Sequence, residues 1–315
     1  MGEFKMENRR SFLKKAGVLT TSALTASAVG SHVIAGNSQN TSKLTLLHTN
    51  DFHSHVDPFP EDAARYAGKG GLERRANLVQ KIRNEGNEVL LLDAGDIFQG
   101  TPYFNYFKGK VELECMSLMG YDAATLGNHE FDNGLRGIDS QLQHADFPFV
   151  CSNYDFTNTI LNGKTKEFLI LNKGDVKVGI YGLGVDFDGL VLERNYGETI
   201  FKDPLETALK MEKMLKEEHQ CDLIVCLSHI GYKYKTDRIS DMMVAASTLY
   251  TNVIIGGHTH TFLDKPSIVE NKKREKVIVS QTGWAGIQLG RIDIEFVPSK
   301  NPVYHSSMVE IGIDS

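Results

Sequence analysis

The chain has 315 residues, of which 41% are hydrophobic and 23% charged, an ordinary balance for a folded soluble protein. A formal net charge of -6 supplies no basic field for a nucleic-acid polymer. No apolar run reaches the roughly 18 residues of a membrane-spanning helix, and the length suits one large domain or two modest ones.

Residues 1–35 stand apart from the rest of the chain. Asn8-Arg9-Arg10-Ser11-Phe12-Leu13-Lys14-Lys15 is a paired-arginine segment, and residues 16–29 are small and mildly apolar. Ala26-Ser27-Ala28 and Val33-Ile34-Ala35 both offer small-x-small cleavage sites, after Ala28 or Ala35. The pattern resembles a twin-arginine export signal, which implies a periplasmic or extracellular protein that keeps no membrane span once the signal is removed. Residues 36–42 read as a Gly/Asn/Ser/Thr linker, and residues 43–315 as the folded domain. Cys115, Cys151, Cys221 and Cys226 show no metal-type spacing and read as buried thiols.

From residue 44 onward, short apolar runs alternate with amphipathic helical patterns. Residues 44–47 read as a strand that runs into His48-Thr49-Asn50-Asp51-Phe52-His53. Leu72, Ala76, Val79 and Ile82 place a helix over 70–83. Val89-Leu90-Leu91-Leu92 has the fully apolar character of a buried strand and ends at Asp93-Ala94-Gly95-Asp96. A helix over 111–119 stops at Gly120. Ala123-Ala124-Thr125-Leu126 then leads into Gly127-Asn128-His129-Glu130-Phe131-Asp132, with a helix over 135–144 and a strand over 147–152 beyond it. Residues 167–171 and 176–181 read as a hairpin around Lys173-Gly174-Asp175. Asp203-Pro204 opens a helix that runs to residue 219, with a cap and a first-turn proline. Residues 223–227 form a strand ending at Ser228-His229, and 253–255 one ending at Gly256-Gly257-His258-Thr259-His260. Residues 277–280 and 289–297 read as antiparallel strands around one turn. The whole predicts an α/β fold, a four-layer α/β/β/α sandwich of two mixed β-sheets flanked by helices.

Five of these strands end in residues with metal-ligand chemistry: Asp51 and His53, Asp96, Asn128 and His129, His229, and His258 and His260. Each has an ordinary structural explanation when taken singly, as a helix cap, a turn carboxylate or a core histidine. Their conjunction at strand ends does not, because an α/β sheet gathers the carboxyl ends of its parallel strands along one edge. A set rich in imidazole and oxygen, with no thiolate, suits Zn, Mn, Fe or Co. Seven or more such groups exceed the needs of one ion and suggest two divalent transition-metal ions, with Asp96 as the natural bridge. The Tyr103-Phe104-Asn105-Tyr106-Phe107 cluster reads as a packed loop or partner surface, with base stacking as the alternative.

The ordered set Asp-x-His, Gly95-Asp96-Ile97-Phe98-Gln99-Gly100, Gly127-Asn128-His129-Glu130, His229 and Gly257-His258-Thr259-His260 resembles the calcineurin-like metallophosphoesterases. Thr49-Asn50-Asp51, Gly100-Thr101-Pro102, Gly120-Tyr121-Asp122-Ala123 and Gly127 through Gly134 look like the 5′-nucleotidase branch. The resemblance implies one metal on Asp51, His53, Asp96 and His260, and another on Asp96, Asn128, His229 and His258. It further implies that His129 aids departure of the leaving group and that Asp132 holds its ring. Glu130 reads as a structural hydrogen-bonding group, and His55, where this branch commonly continues with glycine at 54, as a solvent-facing loop residue.

The implied activity is hydrolysis of phosphomonoesters, foremost 5′-nucleotides. Phosphodiesters, nucleotide sugars or sulfur esters are alternatives on the same site. Members of this branch usually carry a C-terminal substrate-binding domain that has no counterpart by residue 315. A separately encoded substrate-binding subunit is therefore a further expectation.

Overall fold

The computed structural model describes residues 41–297 and 300–312, within the compact unit Gln39–Ser315. The export segment expected over residues 1–35 lies outside the described residues, as does most of the linker.

Two mixed sheets face each other. The first has the order β13-β12-β1-β2-β3. Its strands are β1 (Ser42–Thr49), β2 (Glu88–Asp93), β3 (Ala123–Ala124), β12 (Gln288–Phe296) and β13 (Val303–Glu310). β1, β2 and β3 run parallel, while β12 pairs antiparallel with β1 and β13 antiparallel with β12. The second sheet has the order β10-β11-β9-β8-β6-β5. It is built from β5 (Phe168–Lys173), β6 (Val176–Gly184), β8 (Leu223–His229), β9 (Val253–Gly256), β10 (Ser267–Glu270) and β11 (Lys276–Ser280). Here β6, β8, β9 and β11 are parallel. A two-residue pair joins β4 (Tyr154–Asp155) to β7 (Ile200–Phe201).

The continuous apolar runs are explained by burial on both faces. In β2, Leu90 and Leu92 enter the core between the sheets, whereas Val89 and Leu91 pack under the helices of the first sheet. In β8, Val225 and Leu227 face the other sheet, while Ile224 and Cys226 meet the outer helices. The period of two thus divides one strand between two cores. Outside the first sheet lie α1 (Leu72–Arg83), α2 (Pro102–Phe107), α3 (Lys110–Met119) and α4 (Gly134–Leu142). The short α5 (Glu193–Tyr196) packs against α4. Outside the second are α6 (Pro204–Lys213), which continues into a π-helical turn over Met214–Glu218, and α7 (Asp241–Ser247). Asp203 caps α6 by accepting from the Glu206 amide at 2.8 Å. The four-layer sandwich expected from the sequence is the fold observed.

Three local expectations are corrected. Residues 277–280 and 289–297 do not pair: β11 joins β9 in one sheet, while β12 joins β1 in the other. Both are apolar and near in sequence, and the intervening loop carries the chain from one sheet to its partner. The strand expected over 147–152 makes only single bridges, at Phe149 and Val150. The Tyr103–Phe107 cluster is not a loop but helix α2, capped by Thr101 with Pro102 in its first turn. All four cysteines are unpaired, three of them buried and Cys115 half-buried.

Candidate metal centre

The ligand-type residues meet at the carboxyl edge of both sheets. Asp51 and His53 follow β1, Asp96 follows β2, and Asn128 and His129 follow β3. His229 ends β8, and His258 and His260 follow β9. The site is therefore a seam, with one side supplied by each sheet.

Two groups form there. Asp51, His53, Asp96 and His260 each offer a ligand atom within 4.8 Å of the others, as do Asp96, His229 and His258. Asp96 belongs to both. His53 Nε2 lies 3.0 Å from His260 Nε2, and His260 Nε2 lies 3.2 Å from Asp51 Oδ1. His229 Nε2 stands 3.0 Å from Asp96 Oδ2. Asn128 Oδ1 reaches His258 Nδ1 at 2.9 Å, which brings it to the second group.

The outer ring nitrogens are tied down. His229 Nδ1 donates to the Ala94 carbonyl at 2.6 Å, and His53 Nδ1 to that of Phe98 at 3.3 Å. Both tautomers leave Nε2 facing the cluster, the usual arrangement behind an imidazole ligand. His229 Nε2 is fully buried yet makes no well-formed hydrogen bond. A buried imidazole nitrogen, facing imidazoles and converging carboxylates call for a shared cationic partner, and a divalent transition metal matches that donor set.

The carboxylates dominate the electrostatics of the cluster and draw positive charge into it. Burial alone would lower His229, but the Asp96 and Asp51 carboxylates outweigh it and lift the imidazole to about 10. Asp96 is buried too, yet the neighbouring histidines hold its carboxyl well below the usual range. Burial and the charge of His229 take His258 down to about 4.

The loops that present these groups are strained. Asp51, His53, Asp96, His258 and His260 have φ of 48°, 49°, 55°, 73° and 48°, in the left-handed region that non-glycine residues seldom occupy. Crossed backbone bonds hold them: the Asp51 amide to the Gly95 carbonyl at 2.9 Å, and the His53 amide to that of Asp96 at 3.0 Å. Gly127 and Gly257 permit the close nesting. A Cβ on Gly127 would fall 2.2 Å from Asp96 Oδ1, and one on Gly257 2.7 Å from His229 Nδ1.

His129 sits beside the cluster, its ring 5.2 Å from that of His53. Its amide donates to Asp96 Oδ1 at 2.8 Å, and its Nδ1 donates to Asp132 Oδ2 at 2.9 Å. Burial would lower this imidazole, but the Asp132 hydrogen bond and nearby carboxylates prevail and raise it. Asp132 belongs to the 3₁₀ turn His129–Asn133, which sets it one turn from His129.

Glu130 proves to be a staple. One carboxylate oxygen accepts from the Gly127 amide at 2.6 Å and the Asp96 amide at 3.0 Å, the other from Ile97 at 2.8 Å and Phe98 at 3.1 Å. Burial and the Asp96 charge push its carboxyl up to about 7 against these donors. Two further supports have little or no signal in the sequence. Asn50 donates to Asp51 Oδ2 at 2.6 Å and receives the Thr282 amide at 2.8 Å. Gln281 donates to the Gly257 carbonyl at 2.6 Å and accepts from Thr259 Oγ1 at 3.0 Å. Asn50 adjoins Asp51 and is visible as a polar neighbour; Gln281 comes from the end of β11 and has no local signal. His55 is not solvent-facing. It is half-buried, with Nδ1 donating to the His53 carbonyl at 2.8 Å.

Comparison with known proteins accords with this geometry. The chain is 35% identical over 285 residues to the trifunctional nucleotide phosphoesterase protein YfkN of Bacillus subtilis, a match covering 80% of this chain and 18% of that protein. It is 34% identical to a snake venom 5′-nucleotidase of Gloydius brevicauda, covering 84% of this chain and 47% of the relative. Among solved structures, a 5′-nucleotidase precursor from Thermus thermophilus superposes with a TM-score of 0.79 at 31% identity, over 86% of this chain and 55% of that one. The chain thus spans about half the length, or less, of the curated relatives it matches. The model of the calcineurin-like phosphoesterase family matches residues 44–262, and the chain belongs to that family.

Proposed function

We propose that this chain is an exported, metal-dependent phosphatase that hydrolyses phosphomonoesters, with 5′-nucleotides as its principal substrates. The observation that carries this reading is the pair of ligand groups sharing Asp96, with the His129–Asp132 pair standing at their edge.

Asp51, His53, Asp96 and His260 would hold one divalent cation, and Asp96, Asn128, His229 and His258 the other. Bound there, such cations acidify water and neutralise charge on phosphoryl oxygens. The protein's own groups do the rest. Asp132 fixes the His129 ring, since its carboxylate accepts the Nδ1 proton and turns Nε2 towards the ester. His129 Nε2 then hydrogen-bonds a phosphoryl oxygen or protonates the departing alkoxide. The Glu130 staple and the Asn50 hydrogen bonds keep Asp96 and Asp51 from drifting as charge moves through the site.

Similarity to 5′-nucleotidases and to a nucleotide phosphoesterase supports the choice of substrate. The name of the Bacillus relative, a trifunctional nucleotide phosphoesterase, is as compatible with diesters as with monoesters, so phosphodiester hydrolysis is a second reading on the same residues. The paired arginines and small-residue stretch of residues 8–35 support export. No helix of the described residues is long and apolar enough to cross a membrane.

The test is a phosphate-release screen with Mn, Zn or Co on nucleoside monophosphates, glycerol phosphate and bis-nitrophenyl phosphate, with metal analysis in parallel. About two ions per chain and turnover of monoesters are expected. Fewer than one ion in metal-replete protein, or no turnover of any ester, overturns the proposal.

A further inference from the structure

An aromatic wall adjoins the ligand cluster. Trp284, in the loop between β11 and β12, lies parallel to the His260 ring, with centroids 5.8 Å apart and an interplanar angle of 5°. Around it stand His55 at 5.0 Å, Phe59 at 6.1 Å and Tyr66 at 6.4 Å. Tyr66 in turn stacks on Phe262 at 5.7 Å, and His55 on Phe59 at 5.2 Å.

These rings are not core. Phe262 is 36% exposed, and Trp284, Tyr66, Phe59 and His55 are half-buried. Tyr66 also has φ of 60°, a conformation that is a genuine outlier for a bulky side chain. Such strain persists where the surroundings enforce it, and it gathers at ligand clamps.

We propose that this wall is the subsite for the planar ring of the substrate, the base of a nucleotide stacking on Trp284, Tyr66 and Phe262. The inference rests on the reading of the ligand cluster as the phosphoryl site. Continuity with that cluster carries it: His260 is at once a candidate ligand and the first ring of the wall. An ester whose phosphoryl group lies on the cluster has these π faces beside it, through the His260–Trp284 stack. Ring faces recognise any base by stacking and favour larger ones, so the wall distinguishes base-bearing from base-free esters rather than one base from another.

Trp284 is the only tryptophan in the sequence, so its emission reports directly on the wall. Metal-loaded protein is titrated with adenosine, AMP and ribose 5-phosphate. Saturable quenching by adenosine and AMP, and none by ribose 5-phosphate, is expected. Tyr66→Gly removes the ring and suits the left-handed backbone, so folding is preserved; Phe262→Ala removes its stacking partner. Each is expected to lower the ratio of kcat/KM for AMP over ribose 5-phosphate by about tenfold, the scale of one lost base stack. Tyr106→Ala, whose ring is 81% exposed on α2, is expected to leave that ratio unchanged. The wall is overturned if adenosine leaves the emission unchanged, or if both wall variants keep the wild-type ratio. If no ester turns over while adenosine still quenches in a Tyr66-dependent way, the phosphatase reading fails and the wall stands. If both esters turn over equally well, the wall fails and the phosphatase reading stands.

Discussion

Glu130→Gln changes one oxygen to an amide nitrogen and keeps the shape of the side chain. In the wild type each carboxylate oxygen accepts two backbone amides, from Gly127 and Asp96 on one side and from Ile97 and Phe98 on the other. A glutamine can serve only one of these pairs. Its NH₂ group would face the other pair donor to donor, in a site that is 1% exposed. Above about pH 8, where the carboxyl is ionised, two hydrogen bonds to a charged group are lost at about 1.5–3 kcal/mol each, so the variant should lose roughly 3–6 kcal/mol. Against a typical total of about 5–15 kcal/mol this is a large fraction. Urea unfolding, followed by far-UV circular dichroism in the presence of chelator, measures it directly. Because the Asp96 and Gly127 loops are joined through this carboxylate, bound metal should fall as well. A loss below about 1 kcal/mol with unchanged metal content would refute the staple.

His129→Ala should lower kcat on a phosphomonoester by about 10²–10⁴ with metal content unchanged, as single-turnover phosphate release and metal analysis would show. A divalent ion at a hundred times its Kd should raise stability by about 2.7 kcal/mol over chelated protein, read as a shift in thermal unfolding; no shift would count against a native metal centre. Burial pushes the Asp241 carboxyl up to about 8, against the pull of its Ser228 hydrogen bond at 2.6 Å. The folded state then keeps a proton that the unfolded chain releases near pH 4. Stability from this group is complete below that pH and declines until pH passes about 8. Asp241→Asn should flatten that decline, as denaturation midpoints at pH 5, 7 and 8.5 would reveal.

The sequence carried the layers and the strand ends because both are written locally. Leu90, Leu91 and Leu92 are apolar on both faces only in a strand buried twice over, and each such run halts at a polar residue on the same edge. What joins distant segments was not legible. The β11–β12 connection looks like a hairpin in the sequence and is a passage between sheets, since pairing is decided by partners such as β9 and β1 far away in the chain. Trp284, Tyr66 and Phe262 come from three stretches with no common pattern, whereas the visible aromatic cluster at Tyr103 packs Phe104 against Phe98. The reach of Glu130 to three amides beyond Gly127 likewise depends on how two loops nest.

The seam between the sheets has a consequence for how the centre comes into being. His53 and His260 are separated by 207 residues, yet their ring nitrogens nearly touch. Neither sheet owns all the residues of the two ligand groups, so any capture of ions there would wait until both halves have docked across their shared core. Long-range closure of this kind is slow compared with local folding. A metal centre on these residues would be a latch, closed last, and bound metal would report that the whole sandwich has been assembled. A chain interrupted before residue 258 lacks the closing piece, however well its first sheet has formed.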